Sequence, residues 1–177
     1  MNIMKKRLNL IIVLCTAIVL GSCTKNDLPV YTKAVVEFDA ATWNANAAGR
    51  TYPILTRVPG YNRPVATSDP LLTRNSPGIK KFRVNLVGKQ FTEPVTLQYD
   101  LFNGNGGSTA VEGKHFKISR TLTIPANSSF GEMEVEILNP GAPPAGQTSV
   151  DILLILNSVE GIESSVNYRV IGLRVAQ

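Results

Sequence analysis

Cysteine, histidine and tryptophan are nearly missing: two Cys, one His and one Trp in 177 residues. So few thiols exclude a disulfide framework, whatever the redox compartment. The lone imidazole, His115, is the only centre a Ser-His-Asp arrangement can use, and a zinc site would lack a second nitrogen ligand. A glycine-rich phosphate loop is lacking too, because Gly104, Gly106 and Gly107 have neither the helix nor the lysine that such a loop needs. No stretch beyond the N-terminus keeps a helical period. What remains is 44% hydrophobic and 18% charged residues, a globular composition rather than a disordered or fibrous one.

The N-terminus carries the sharpest motif. Lys5, Lys6 and Arg7 precede an apolar run over 8–20, interrupted only by Asn9 and Thr16. That is the length of a signal-peptide core and too short for a comfortable membrane span. The run closes on Leu20-Gly21-Ser22-Cys23. This resembles the bacterial lipobox, and the resemblance implies cleavage before Cys23 and lipidation of its sulfur. Cys15 would leave with the leader, so no free thiol remains for Cys-His catalysis. Three acyl chains anchor firmly, at about 0.8 kcal/mol per buried methylene. The expected organisation is a leader at 1–22, a lipid-anchored tether at 23–33 and one domain at 34–177. Thr24-Lys25-Asn26-Asp27 weakly resembles the surface-export signals of Bacteroidetes lipoproteins, which favours the cell surface over the periplasmic leaflet. Without Lys5, Lys6 and Arg7, 15 basic residues of 18 face 13 acidic ones, so the net charge drops from +5 to +2. The basic residues that remain are scattered, which excludes a nucleic-acid partner.

Period-two alternation recurs along the domain, broken by Gly, Pro and Asn. Val36 and Phe38 alternate with Glu37 and Asp39. Phe82, Val84 and Leu86 alternate with Lys81, Arg83 and Asn85. Val95, Leu97, Tyr99 and Leu101 follow the same rule, as do Met133, Val135 and Ile137 against Glu132, Glu134 and Glu136. The glutamates read as a solvated face paired to Lys or Arg. Residues 150–156 are apolar on both faces apart from Asp151, as a central covered strand requires. Val166, Tyr168 and Val170 share one face and Ile171, Leu173 and Val175 the other, with a bulge expected near Gly172. Tyr99 and Tyr168 are expected in the core. Turns fall at 103–107, at Pro125-Ala126-Asn127 and at 139–146. An all-β, immunoglobulin-like antiparallel sandwich of about seven to eight strands follows, with a closed barrel as runner-up.

Over 109–116 the chain reads Thr-Ala-Val-Glu-Gly-Lys-His-Phe, followed by Leu122-Thr123-Ile124-Pro125 and Val135-Glu136-Ile137. The pattern resembles Calx-beta-like sandwiches, and also uncharacterised Bacteroidetes outer-membrane lipoproteins with immunoglobulin-like domains. The resemblance implies the fold, an envelope setting and an accessory role. It does not carry calcium over, since His115 stands where that motif has aspartate and Glu112 is the only nearby acid.

Residues 40–79 alternate poorly, apart from a possible strand over 51–58, and contain a long proline-bearing stretch from 59 to 78. Long loops are uncommon unless functional, so a binding surface is sought here first. Trp43 flanked by Asn44 and Asn46, with Tyr52 and Tyr61 nearby, has the residue types of a sugar site: aromatic platforms and amides. A lone Trp is more often core, and we expect Trp43 buried ahead of ligand contact. Catalytic residues, metal and cofactor are expected to be none, with His115 read as a turn or packing residue. The functional expectation is a non-enzymatic outer-membrane accessory or binding protein that contacts glycans or a glycan-uptake complex. The alternatives are a structural subunit joined through edge strands and a small envelope hydrolase using acids such as Asp151, Glu160 or Glu163.

Overall fold

The computed structural model describes residues 33–104 and 106–177. The leader, Cys23 and most of the tether lie outside the described residues. Within them run β1 (Ala34–Phe38), α1 (Asp39–Trp43), β2 (Ile54–Leu55), β3 (Gly78–Val87), β4 (Val95–Leu101), β5 (Phe116–Ile118), β6 (Thr121–Ile124), β7 (Phe130–Ile137), β8 (Ser149–Asn157), β9 (Ile162–Ser164) and β10 (Val170–Ala176). They form two five-stranded sheets, ordered β5-β7-β3-β1-β9 and β2-β10-β8-β4-β6. Setting aside the two- and three-residue strands β2, β5 and β9 leaves the expected seven. β2 pairs with β10 and β9 with β1 in parallel. Segments this short show no alternation; β2 falls within the strand anticipated over 51–58, and nothing in the sequence announces β9.

Alternation dictates the core. Phe82, Val84 and Leu86 of β3 and Met133, Val135 and Ile137 of β7 are buried, as are Leu97 and Tyr99 of β4. Each such side chain contributes about 1.5–3 kcal/mol by leaving water. The Tyr99 hydroxyl donates to the Glu134 carbonyl at 3.0 Å and lies 3.1 Å from Ser119 Oγ, so its polar end is satisfied. β8 is central and buried on both faces, as 150–156 implied. Its Leu153, outside the main core, is buried too, as is Tyr52, whose ring meets Phe102 edge-on at 5.6 Å.

Two expectations fail at the C-terminal hairpin. Tyr168 is 38% exposed and Val166 86% exposed. Residues 165–168 lie along β1 instead of starting β10: the Ser165 amide donates to the Val36 carbonyl and the Phe38 amide to the Tyr168 carbonyl, both at 2.9 Å. Near Gly172 there is no bulge, because the β8–β10 register is unbroken from Val170 to Ala176. Gly172 is there for closeness: a Cβ would lie 2.8 Å from Ile54 Cγ1 and 3.1 Å from Leu153 Cδ2.

The chain changes sheets between β5 and β6 at Arg120, whose φ is 62°. Its guanidinium ties both Glu112 oxygens, at 2.9 and 2.6 Å, and reaches Asp100 at 3.2 Å. At that edge β6 approaches β7 so closely that a Cβ on Gly131 would meet the Thr123 carbonyl oxygen at 2.5 Å. The sheets touch there without joining into a barrel.

Candidate functional site

Residues 57–71 form an Ω-type loop closed by a bridge between Arg57 and Leu71. Asp69, 6% exposed, is the knot. Its carboxylate accepts both terminal Arg63 nitrogens and the Ala66 amide, and its carbonyl accepts Arg57 Nη1. The Arg63 guanidinium, then the Ala66 amide, holds this carboxyl at about 2. A second buried acid, Asp39 at 2% exposure, joins the loop to the sheet. Oδ2 accepts the Asn62 amide at 2.9 Å and Oδ1 accepts Asn85 Nδ2 at 3.0 Å. At the other end of α1 the Asn44 side-chain oxygen accepts the Val65 amide at 3.0 Å. Residues 62–65 therefore run beside α1, from its first residue to its C-cap.

This arrangement holds Tyr61 over the outer face of β3 and β7. The Tyr61 hydroxyl donates to Glu132 Oε1 at 2.6 Å, and Lys81 Nζ donates to Glu132 Oε2 at 2.9 Å. Burial, then the Glu132 bond, pushes the phenol up to about 12. The Tyr61 hydrogen bond, then the Lys81 contact, lowers the Glu132 carboxyl, which stays ionised. Arg83 lies with its guanidinium carbon 4.1 Å from the Phe130 ring centroid and 5.7 Å from that of Tyr61. Both rings remain 38% exposed. Along one cross-strand row, Glu37 faces Asn85 and Asn85 faces Phe130. Burial, then Asp39, raises the Glu37 carboxyl. A depression of about 340 Å³ flanks Tyr61, lined by Pro59, Gly60, Pro70, Ile79 and Lys81 among others.

The five residues anticipated as ligand contacts do not form one cluster. Tyr52 is 1% exposed and belongs to the packing outside β8, so it presents no face to solvent. The Asn44 amide is used at both ends, donating to the Ala40 carbonyl at 2.8 Å as well as accepting Val65. Trp43 is not core: it is 48% exposed at the end of α1. Asn46 is exposed in the following turn. Tyr61 is exposed at the opposite end of the α1–loop clamp.

Sequence reading passed over Arg83, Phe130, Asp39 and Asp69. Phe130 did leave a signal, since it shares the outward phase of Glu132, Glu134 and Glu136. The two aspartates left none, because only the long-range loop contacts bury them. The glutamate face is paired as expected, Lys81 with Glu132 and Glu134, and Lys117 with Glu136. His115 is 5% exposed and closes a turn, its Nδ1 accepting the Val111 amide at 2.9 Å. Burial, then Lys114, lowers its pKa, so the imidazole stays neutral. An acceptor is what an aspartate would supply at that place. Among the described residues no group of three or more His, Cys, Asp or Glu is gathered as metal ligands.

No family model matches the chain and no curated protein does. Among solved structures, the CBD12 module of CALX1.2 aligns over 56% of this chain and 37% of its own, at 17% identity and a TM-score of 0.42. A protein titled a candidate carbohydrate-binding protein, from Bacteroides ovatus ATCC 8483, aligns over 56% and 32%, at 14% identity and a TM-score of 0.40. The chain thus spans about a third of the length of either structure.

Proposed function

We propose that this chain is a non-enzymatic binding module of the cell envelope, anchored through lipid on Cys23, that holds a glycan on the outer face of β3 and β7. One observation carries the glycan reading: two exposed aromatic rings, Tyr61 and Phe130, bracket the Arg83 guanidinium on the outer sheet face. Aromatic faces receive the C–H faces of sugars, and the Arg83 fork between them and Glu37, across the strands from Asn85, offer hydroxyl partners. The rings are seated by the loop and sheet before any ligand arrives, which lowers the ordering cost of binding. Strand addition has less support, because the four sheet edges, β5, β9, β2 and β6, are two to four residues long.

Removal of both rings in Tyr61→Ala/Phe130→Ala is expected to weaken binding about tenfold or more, on the scale of lost interface anchors. Affinity electrophoresis against neutral and acidic polysaccharides reads this. Trp43, the only tryptophan, serves as a fluorescence reporter. If the double variant migrates like the wild type on every retarding polysaccharide, this face is not the site. Anchoring is separate. Cys23→Ser is expected to abolish incorporation of labelled fatty acid and to leave the leader uncleaved. Unchanged labelling and cleavage in that variant would remove the lipid from the proposal.

A further inference from the structure

We infer that Arg83 is an open carboxylate receptor, so that the glycan held on this face is acidic, carrying uronate-type carboxyl groups. The inference rests on the glycan reading of the same surface. Three arginines of the domain are already forked onto acids: Arg63 on Asp69, Arg120 on Glu112 and Arg174 on Asp151. Arg83 is not. Its Nε donates to Asn85 Oδ1 at 2.8 Å, and neither Nη has a hydrogen-bond partner among the described residues.

The register makes that vacancy informative. Glu132 lies directly across from Arg83 on β7, the place from which a carboxylate would neutralise it. Both Glu132 oxygens are instead committed, one to the Tyr61 hydroxyl and one to Lys81. Asp39, the next acid, is spent on the Asn62 amide and the Asn85 side chain. The guanidinium is thus half-buried, held flat by Phe130 and fixed in rotation by Asn85, with its fork unused. A planar fork with two parallel N–H groups matches a carboxylate bidentately, and fixing it beforehand lowers the cost of ordering.

Glu37 limits the ligand further. It faces Asn85 across the strands and has no hydrogen bond or ion pair among the described residues. One uncompensated acid on the face repels a densely charged polyanion yet accepts a sugar hydroxyl. A ligand with one carboxyl and several hydroxyls per ring meets both conditions.

The test is calorimetric titration of the wild type, Arg83→Lys and Arg83→Gln with oligogalacturonate, its methyl ester, a neutral galactan oligosaccharide and sodium acetate. The acid form is expected to bind about tenfold tighter than the ester, the scale of a charge-assisted fork. Arg83→Lys should lose about tenfold on the acid and little on the ester, because the charge remains and the fork does not. It also keeps the cation over Phe130, so it stays informative if Arg83→Gln fails to fold. Equal binding of acid and ester, with Arg83→Lys unchanged, overturns the uronate assignment and leaves the glycan reading standing. Acetate competing as well as galacturonate overturns it too, showing a bare carboxylate site. Failure of every sugar, neutral and acidic alike, overturns the glycan reading itself.

Discussion

Alanine in place of Asp39 is expected to destabilise the domain by about 2–3 kcal/mol and to loosen the 57–71 loop. Its carboxylate is 2% exposed and receives two donors, the Asn62 amide and Asn85 Nδ2. Removing the acceptor strands both, at about 1–3 kcal/mol for each donor that water cannot reach. For a domain of this size that corresponds to a melting temperature roughly 5–10 °C lower. The local effect should exceed the global one, because Asp39 is where α1, the loop and β3 meet. Trypsin should cut after Arg57, which Val58 follows, much faster in the variant, and Tyr61 should lose its fixed place over β3. Asp39→Asn keeps the shape but turns an NH2 toward one of the two donors, so it should fall between. Wild-type melting and wild-type trypsin resistance in Asp39→Ala would show that the network does not hold the loop.

Gly131→Ala is the second large effect, and its sign runs against propensity. Inside a strand this change ordinarily stabilises by about 0.5–1 kcal/mol, because glycine loses more backbone freedom on folding. Here the new Cβ would stand 2.5 Å from the Thr123 carbonyl oxygen and 3.0 Å from Leu122 Cδ1. The nearest obstacle is backbone and cannot rotate away. β6 must therefore retreat from β7, and overpacking of this kind costs about 1–3 kcal/mol. A net loss of about 1–2 kcal/mol is expected in chemical denaturation. An alanine variant as stable as the wild type, or more so, would mean that the closed edge yields easily.

Much of the sandwich was legible because most strands bury one face. Period two names the inward residues, and Phe82, Val84, Met133 and Val135 sit where alternation puts them. β2 was legible only as a possible strand over 51–58, and β9 was not, since two or three residues carry no period and their partners lie far along the chain. The misreading at Tyr168 has the same root: apolar residues spaced by two look like one strand even when the first of them run beside β1. The site was half legible. Tyr61 stood out as an aromatic in a long loop, but Arg83 read as one more outward charge. What sets Arg83 apart is that Glu132 faces elsewhere, and that depends on Tyr61, 71 positions away from Glu132 along the chain. Trp43 was expected inside because large aromatics usually bury. It escapes because a five-residue helix ends there and leaves its last side chain half exposed.

The parallel pairs have a consequence for how the molecule is made. Ala34 is matched with Ile162 and Ile54 with Gly172, so each sheet is closed by a segment synthesised long after its partner. Neither sheet can be finished until the ribosome has released residues 162–176. Folding dominated by such distant pairings runs in milliseconds to seconds. A nascent chain of this topology stays incompletely folded, and so threadable, until its last two strands have been made.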